Sequence, residues 1–380
     1  MKSVLAALVL GFGAAGAAAG QDVPPDVMQA YRAHQAALEA GDLATALREA
    51  ENALAAAEAA GVDPGTRAVL AHNAANMRSQ QGDHDRAAAH FQRAAALTTE
   101  AGGDAVAIDR YNRIAAESLL FAGEADRAEA LADEVADRLE ALPESPERNN
   151  ELGRARGLQA HAMWRDGRSL VAGVRGREAM RALQRNGVPD GLDPAFYAFY
   201  SGVERAFRGD YRGAAEWFGV SEALFRRENA EVDLYGVARA WGRYARGRLD
   251  DADRRILLQT LSEGGWLDLG CEAECPADDE PGFMDGPGER VDAAPVRRAS
   301  PRYPGRLEAA AIDGVVLVRF AIGQDGRVQD PEIVFSAPHP DFGDASLRAM
   351  RDWRYTPATI DGEPVVREAV YTQFEFMMSD

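Results

Sequence analysis

Gly314-Val315-Val316-Leu317-Val318-Arg319-Phe320-Ala321-Ile322, closed by Gly323-Gln324-Asp325-Gly326 and resumed at Arg327-Val328, is the stretch that decides the fold at the C-terminal end of the chain. Its apolar residues change from helical spacing to a period of two, with Val316, Val318, Phe320 and Ile322 on one face. Asp-Gly supplies the left-handed backbone that a tight hairpin needs, so a second strand is expected from about Val328 to Ser336. Pro331 cannot donate to a ladder, which places that strand at an edge or a bulge. Downstream, Asp341 is positioned to cap a helix running through Trp353, with Phe342, Ala345, Ala349, Met350 and Trp353 on one side. A third strand follows Gly362, with Val370, Thr372, Phe374 and Phe376 inward and Tyr371, Gln373 and Glu375 outward. A short helix, Gly305 to Ala311, precedes the first strand. The order is α-β-β-α-β, a small α+β domain over residues 295–380: three antiparallel strands with helices on one face.

Upstream the pattern is all-helical. From residue 22 to 263 glycines recur at Gly41, Gly82, Gly123, Gly167, Gly209 and Gly247, at spacings of 41, 41, 44, 42 and 38. Five residues after each stands an alanine: Ala46, Ala87, Ala128, Ala172, Ala214 and Ala252. Seven residues before five of them stands another small residue: Ala75, Ala116, Ala160, Gly202 and Ala240. A glycine ends one helix in a left-handed residue, and the small pair lets the next helix pack closely against it. Regular recurrence of this kind specifies six helical hairpins in a solenoid. The skeleton Ala75, Gly82, Ala87, Ala94 resembles the tetratricopeptide repeat, with a longer period. That resemblance implies a protein-binding groove, with a rigid spacer as the alternative. Trp217, Phe218, Tyr235 and Trp241 sit at helical spacing and read as packing residues.

The ends and the joint carry other signals. Lys2 is followed by the apolar run Val4 to Ala19 and then by Gln21-Asp22, the pattern of a cleavable export signal over residues 1–19. Left uncleaved, it would anchor the chain in the inner membrane. Gly11-Phe12-Gly13-Ala14-Ala15-Gly16 matches a dinucleotide fingerprint only through its Ala/Gly richness; it lacks the surrounding βαβ unit. Residues 264–294 form an acidic, Pro/Gly-rich linker. Between Glu263 and Ala294 lie ten acidic residues and one arginine, about half of the formal net charge of −19. That charge argues against nucleic-acid partners. Cys271 and Cys275 are expected to form a local structural disulfide; a zinc site lacks further ligands, and an acidic loop disfavours a redox thiolate. No triad, metal spacing, phosphate loop or carboxylate pair stands out, so neither an enzyme nor a cofactor is expected.

Five motifs in order complete the reading: Tyr303-Pro304, Ile312-Asp313-Gly314, Asp325-Gly326-Arg327-Val328, Trp353-Arg354-Tyr355 with Pro357, and Gly362-Glu363-Pro364-Val365. Together they resemble the C-terminal domain of TonB-family energy transducers, over roughly residues 295 to 377. The resemblance implies a periplasmic protein whose partners are outer-membrane transport receptors and other envelope proteins. A receptor segment would add as a strand to the edge Val366 to Phe374. It implies contact roles for Arg302, Tyr303, Pro304, Arg367, Tyr371 and Gln373, and allows homodimerisation through the terminal domain. Where the family often reads Gln-Pro-Gln-Tyr-Pro, this chain has Ser300-Pro301-Arg302-Tyr303-Pro304. A helical array stands where the family carries a Pro-rich tether, and no His precedes His34.

Overall fold

The computed structural model describes residues 23–230, 232–263, 287–310, 312, 314–337 and 339–376. The expected export signal, the expected Cys271–Cys275 disulfide and most of the acidic linker lie outside the described residues. The chain divides into two compact units, Met1–Ala162 and Met163–Asp380.

The first unit is built from α1 (Pro25–Glu39), α2 (Leu43–Ala59), α3 (Pro64–Gln80), α4 (His84–Glu100), α5 (Ala105–Phe121), α6 (Ala125–Glu140) and most of α7 (Pro146–Arg165). Its turns follow from local chemistry. Gly41, Gly82 and Gly123 adopt positive φ, satisfying the end of one helix. Asp42, after Gly41, and Asp63 and Asp104, after the positive-φ Gly61 and Gly102, each accept a hydrogen bond from the backbone N–H three residues on and cap their helices, whereas the helices after Gly82 and Gly123 start without a side-chain cap. Ala46, Ala87, Ala128, Ala75 and Ala116 are all fully buried, so the small residues do mark the helix crossings.

Two polar features tie this unit together. Glu151 of α7 accepts hydrogen bonds from Nε of Arg110 and of Arg113 on α5, each at 2.8 Å. Burial pushes its carboxyl up, but the two guanidinium groups outweigh that and hold it below the ordinary glutamate value. His72 of α3 is buried edge-on to Phe91 and Tyr111, and burial lowers its imidazole pKa.

The second unit holds the end of α7 with α8 (Ser169–Gln184), α9 (Asp193–Phe207), α10 (Tyr211–Arg227), α11 (Val232–Arg246) and α12 (Asp251–Glu263). The repeat pattern weakens at its last member. Gly247 is absent from the positive-φ residues, and Ala252 is exposed where its five counterparts are buried.

After the helices come β1 (Arg290–Val291), β2 (Pro295–Arg297), α13 (Gly305–Ala309), β3 (Gly314–Ile322), β4 (Val328–Ala337), α14 (Pro340–Met350), β5 (Arg354–Tyr355), β6 (Ala358–Ile360), β7 (Glu363–Val365) and β8 (Arg367–Phe376). The main sheet has the order β4-β3-β8, all antiparallel. Two small ladders, β1-β6-β7 and β2-β5, were not expected. They carry the domain into residues read as linker, since Arg290 pairs with Ile360. The cap of α14 is His339, whose Nδ1 accepts from the Asp341 N–H; Pro340 at the first helical position moves the start two residues earlier than expected. Gly326 is at positive φ, and a Cβ there would lie 2.0 Å from the Tyr355 carbonyl oxygen, so the hairpin admits only glycine.

Glu151→Ala should lower unfolding free energy by about 2 kcal/mol in urea titration, because it takes from buried Arg113 the carboxylate bound to its Nε and leaves its ion pair with the more exposed Glu117 carboxylate at 3.0 Å. His72 contributes stability that is present above its unfolded pKa and lost as pH falls below it. Thermal stability should therefore drop between pH 7 and 5, and His72→Gln should reduce that slope.

Candidate functional site

The ten-residue strand β8 is the candidate site, because among the described residues it pairs only with β3 and leaves its other side open. Strand β3 fixes the direction of every β8 side chain. Val370, Thr372, Phe374 and Phe376 stand opposite Phe320, Val318, Val316 and Gly314, on the face covered by α14. Tyr371, Gln373 and Glu375 stand opposite Arg319, Leu317 and Val315, on the other face.

The first face is an aromatic core. Phe342, Met350, Trp353, Phe374 and Phe376 pack with the even-numbered residues of β3. The segment before α13 wraps this core. The Trp353 indole N–H donates to the Ala299 carbonyl at 2.9 Å, and the Arg298 guanidinium lies 4.2 Å from the Trp353 ring centre. Arg298 also donates to the Thr372 hydroxyl at 2.6 Å.

The second face is not left to solvent. Val315 and Leu317 have no exposed surface, which a sheet covered by helices on one side alone cannot explain. The helices of the same unit cover them. Phe335, opposite Leu317 on β4, sits with its ring centre 5.4 Å from Phe199, 6.1 Å from Trp164 and 6.3 Å from Trp241. Trp241 stacks in turn on Phe218 at 5.5 Å. One turn further along α11, Tyr244 is near enough to Glu375 for the carboxylate to contribute to the raised pKa of its phenol, behind burial, while Arg248 pulls the other way. Two side-chain atoms in this layer are buried without a hydrogen-bond partner, the Trp241 indole nitrogen and Gln373 Oε1.

The residues singled out from the sequence fall into different places. Tyr303 is part of the core: its hydroxyl donates to the Ile312 carbonyl at 2.7 Å and its ring meets Phe342 and Phe376. Pro304 is the N-cap residue of α13, and Arg302 is exposed. Tyr371 and Gln373 do share the outer face. Arg367 does not: Ala369 has φ of 54° and β8 carries a bulge there, so Arg367 pairs with Ile322 and turns to the α14 side. There it donates to Asp292 at 2.9 Å. Sequence reasoning missed Val315, Leu317 and Phe335. The signal was present in four consecutive apolar residues, Val315 to Val318, since a strand apolar on both sides is covered on both sides.

Residues 299–378 match the model of the Gram-negative bacterial TonB protein C-terminal family. This part of the chain is a TonB C-terminal domain. The chain is 35% identical to protein TonB of Pseudomonas aeruginosa over 23% of its own length and 26% of that protein. It is 42% identical to protein TonB of Escherichia coli over 16% of its length and 25% of that protein. It thus spans about a quarter of the curated relatives it matches. The solution structure of the Pseudomonas aeruginosa TonB C-terminal domain aligns at 33% identity, covering 24% of this chain and 90% of that one with a TM-score of 0.22. Among the described residues no helix is long and apolar enough to cross a membrane.

Phe335→Ala should cost about 2 kcal/mol, less than a fully buried phenylalanine, because the ring keeps some exposure. Amide hydrogen exchange at Val315 and Leu317 should accelerate, while the Phe342–Trp353 side of the sheet keeps its protection.

Proposed function

We propose that this chain is a periplasmic, non-enzymatic adaptor of the TonB family that binds outer-membrane transport receptors by accepting an extended receptor segment as a strand beside β8. The observation that supports this best is the open side of β8, whose N–H and C=O groups form a template for an added strand. Main-chain bonds would supply affinity and alternate side chains specificity. The opposite edge, β4, is the poorer template: Pro331 removes a donor, and α14 and α11 pack beside it.

A second reading makes the helices the main binding surface. It is favoured by a cavity of about 420 Å³ in the second unit, lined among others by Arg177, Arg181, Arg205, Arg212, Glu216 and Trp217. In that case the terminal domain only docks.

Hydrogen exchange on the full chain, titrated with peptides from the N-terminal segments of outer-membrane receptors, separates the two. New protection along Val370 to Phe376 is expected. Protection confined to the helices, or none, overturns strand addition. The N-terminal residue of the mature protein decides the role of the leading segment. A start at Gly20 or Gln21 is expected, and an intact Met1 would make it an anchor and the chain an energy transducer.

A further inference from the structure

An edge strand offers the same main-chain template to any extended segment, so selection must come from side chains that flank the added strand. On the outer face of β8 those are Tyr371, Gln373 and Glu375. They differ in what they offer.

Tyr371 stands beside Arg319, which is already engaged with Glu332 of β4 at 3.8 Å. Gln373 turns its amide N–H toward Glu375, donating to Oε1 at 2.5 Å. Glu375 itself has no cation within ion-pair distance among the described residues. Its cross-strand neighbour on β3 is Val315, and beyond it on β4 lies Ala337, so nothing within the sheet can neutralise it. On the helical side the group that feels its charge is Tyr244, a phenol that cannot supply positive charge. Arg248 lies against the Tyr211 and Tyr244 rings, 5.3 and 5.0 Å from their centres. The side of Glu375 away from β3 is the side on which a further strand would lie.

We infer that Glu375 selects the added strand, favouring an extended segment that places a lysine or arginine directly across from it. In an antiparallel or parallel addition, the residue opposite Glu375 points to the same face and approaches within about 5 Å at Cβ. A basic side chain there would meet the unpaired carboxylate, whereas an acidic one would be repelled. This rests on the strand-addition reading proposed above and names the chemistry of the partner it would accept.

The test uses the full chain and three ten-residue alternating Val/Thr peptides that differ at one central position, Lys, Ala or Glu. Binding is followed by fluorescence titration and by hydrogen exchange along β8. The Lys peptide should bind about three- to fivefold more tightly than the Ala peptide, and the Glu peptide more weakly than either. Glu375→Gln should abolish the difference, and Glu375→Lys should invert it; the exposed position lets both variants fold. Raising the salt concentration should shrink the preference in the wild type. Equal affinity for all three peptides, with protection along β8, overturns the selectivity and leaves strand addition standing. No protection along β8 with any peptide, nor with receptor segments, overturns both.

Discussion

The central strand β3 is buried on both faces, and the rest of the second unit is arranged around that constraint. Val316, Val318, Phe320 and Ile322 need one cover, and Val315 and Leu317 need another. Helix α14 with Trp353 provides the first. The aromatic cluster of Phe199, Phe218, Trp164 and Trp241, receiving Phe335, provides the second. A sheet of three strands is at the lower limit of what is stable alone, so a second apolar layer adds burial that a one-sided domain would lack. The terminal domain is therefore held by the helices that precede it in the chain rather than hung from them.

That arrangement divides the sheet into surfaces with different tasks. The two faces are committed to packing. Strand β4 is blunted by Pro331 and by its neighbours on both sides. Among the described residues, strand β8 keeps an open hydrogen-bonding side along most of its length. Its inward residues anchor it through Phe374 and Phe376, while its outward residues run from half-buried Tyr371, beside exposed Arg319, through half-buried Gln373 to exposed Glu375.

Much of this was legible in the sequence. The switch from helical period to alternation located the sheet, Asp325-Gly326 located the hairpin, and the recurring Gly and Ala located the helix crossings in all but the last hairpin. The short ladders of β1, β2, β5, β6 and β7 were not legible, because two- and three-residue strands carry no periodicity. Nor was the bulge at Ala369: its local sequence, Arg367-Glu368-Ala369-Val370, alternates like any strand, and only pairing with β3 reveals the extra residue. The second cover of β3 was half legible. Val315 to Val318 announced that one existed, but the helices that provide it are distant in sequence and marked only by aromatics that equally suit packing between helices.

The bulge has one more consequence. Between Val370 and Phe376 the ladder with β3 is continuous, and on the far side of Ala369 it resumes with the opposite facing. A partner strand that follows one register cannot extend across that break without exchanging its two faces. The strand thus carries its own ruler: it measures out a footprint of about seven residues, and a longer segment must leave the sheet at Ala369.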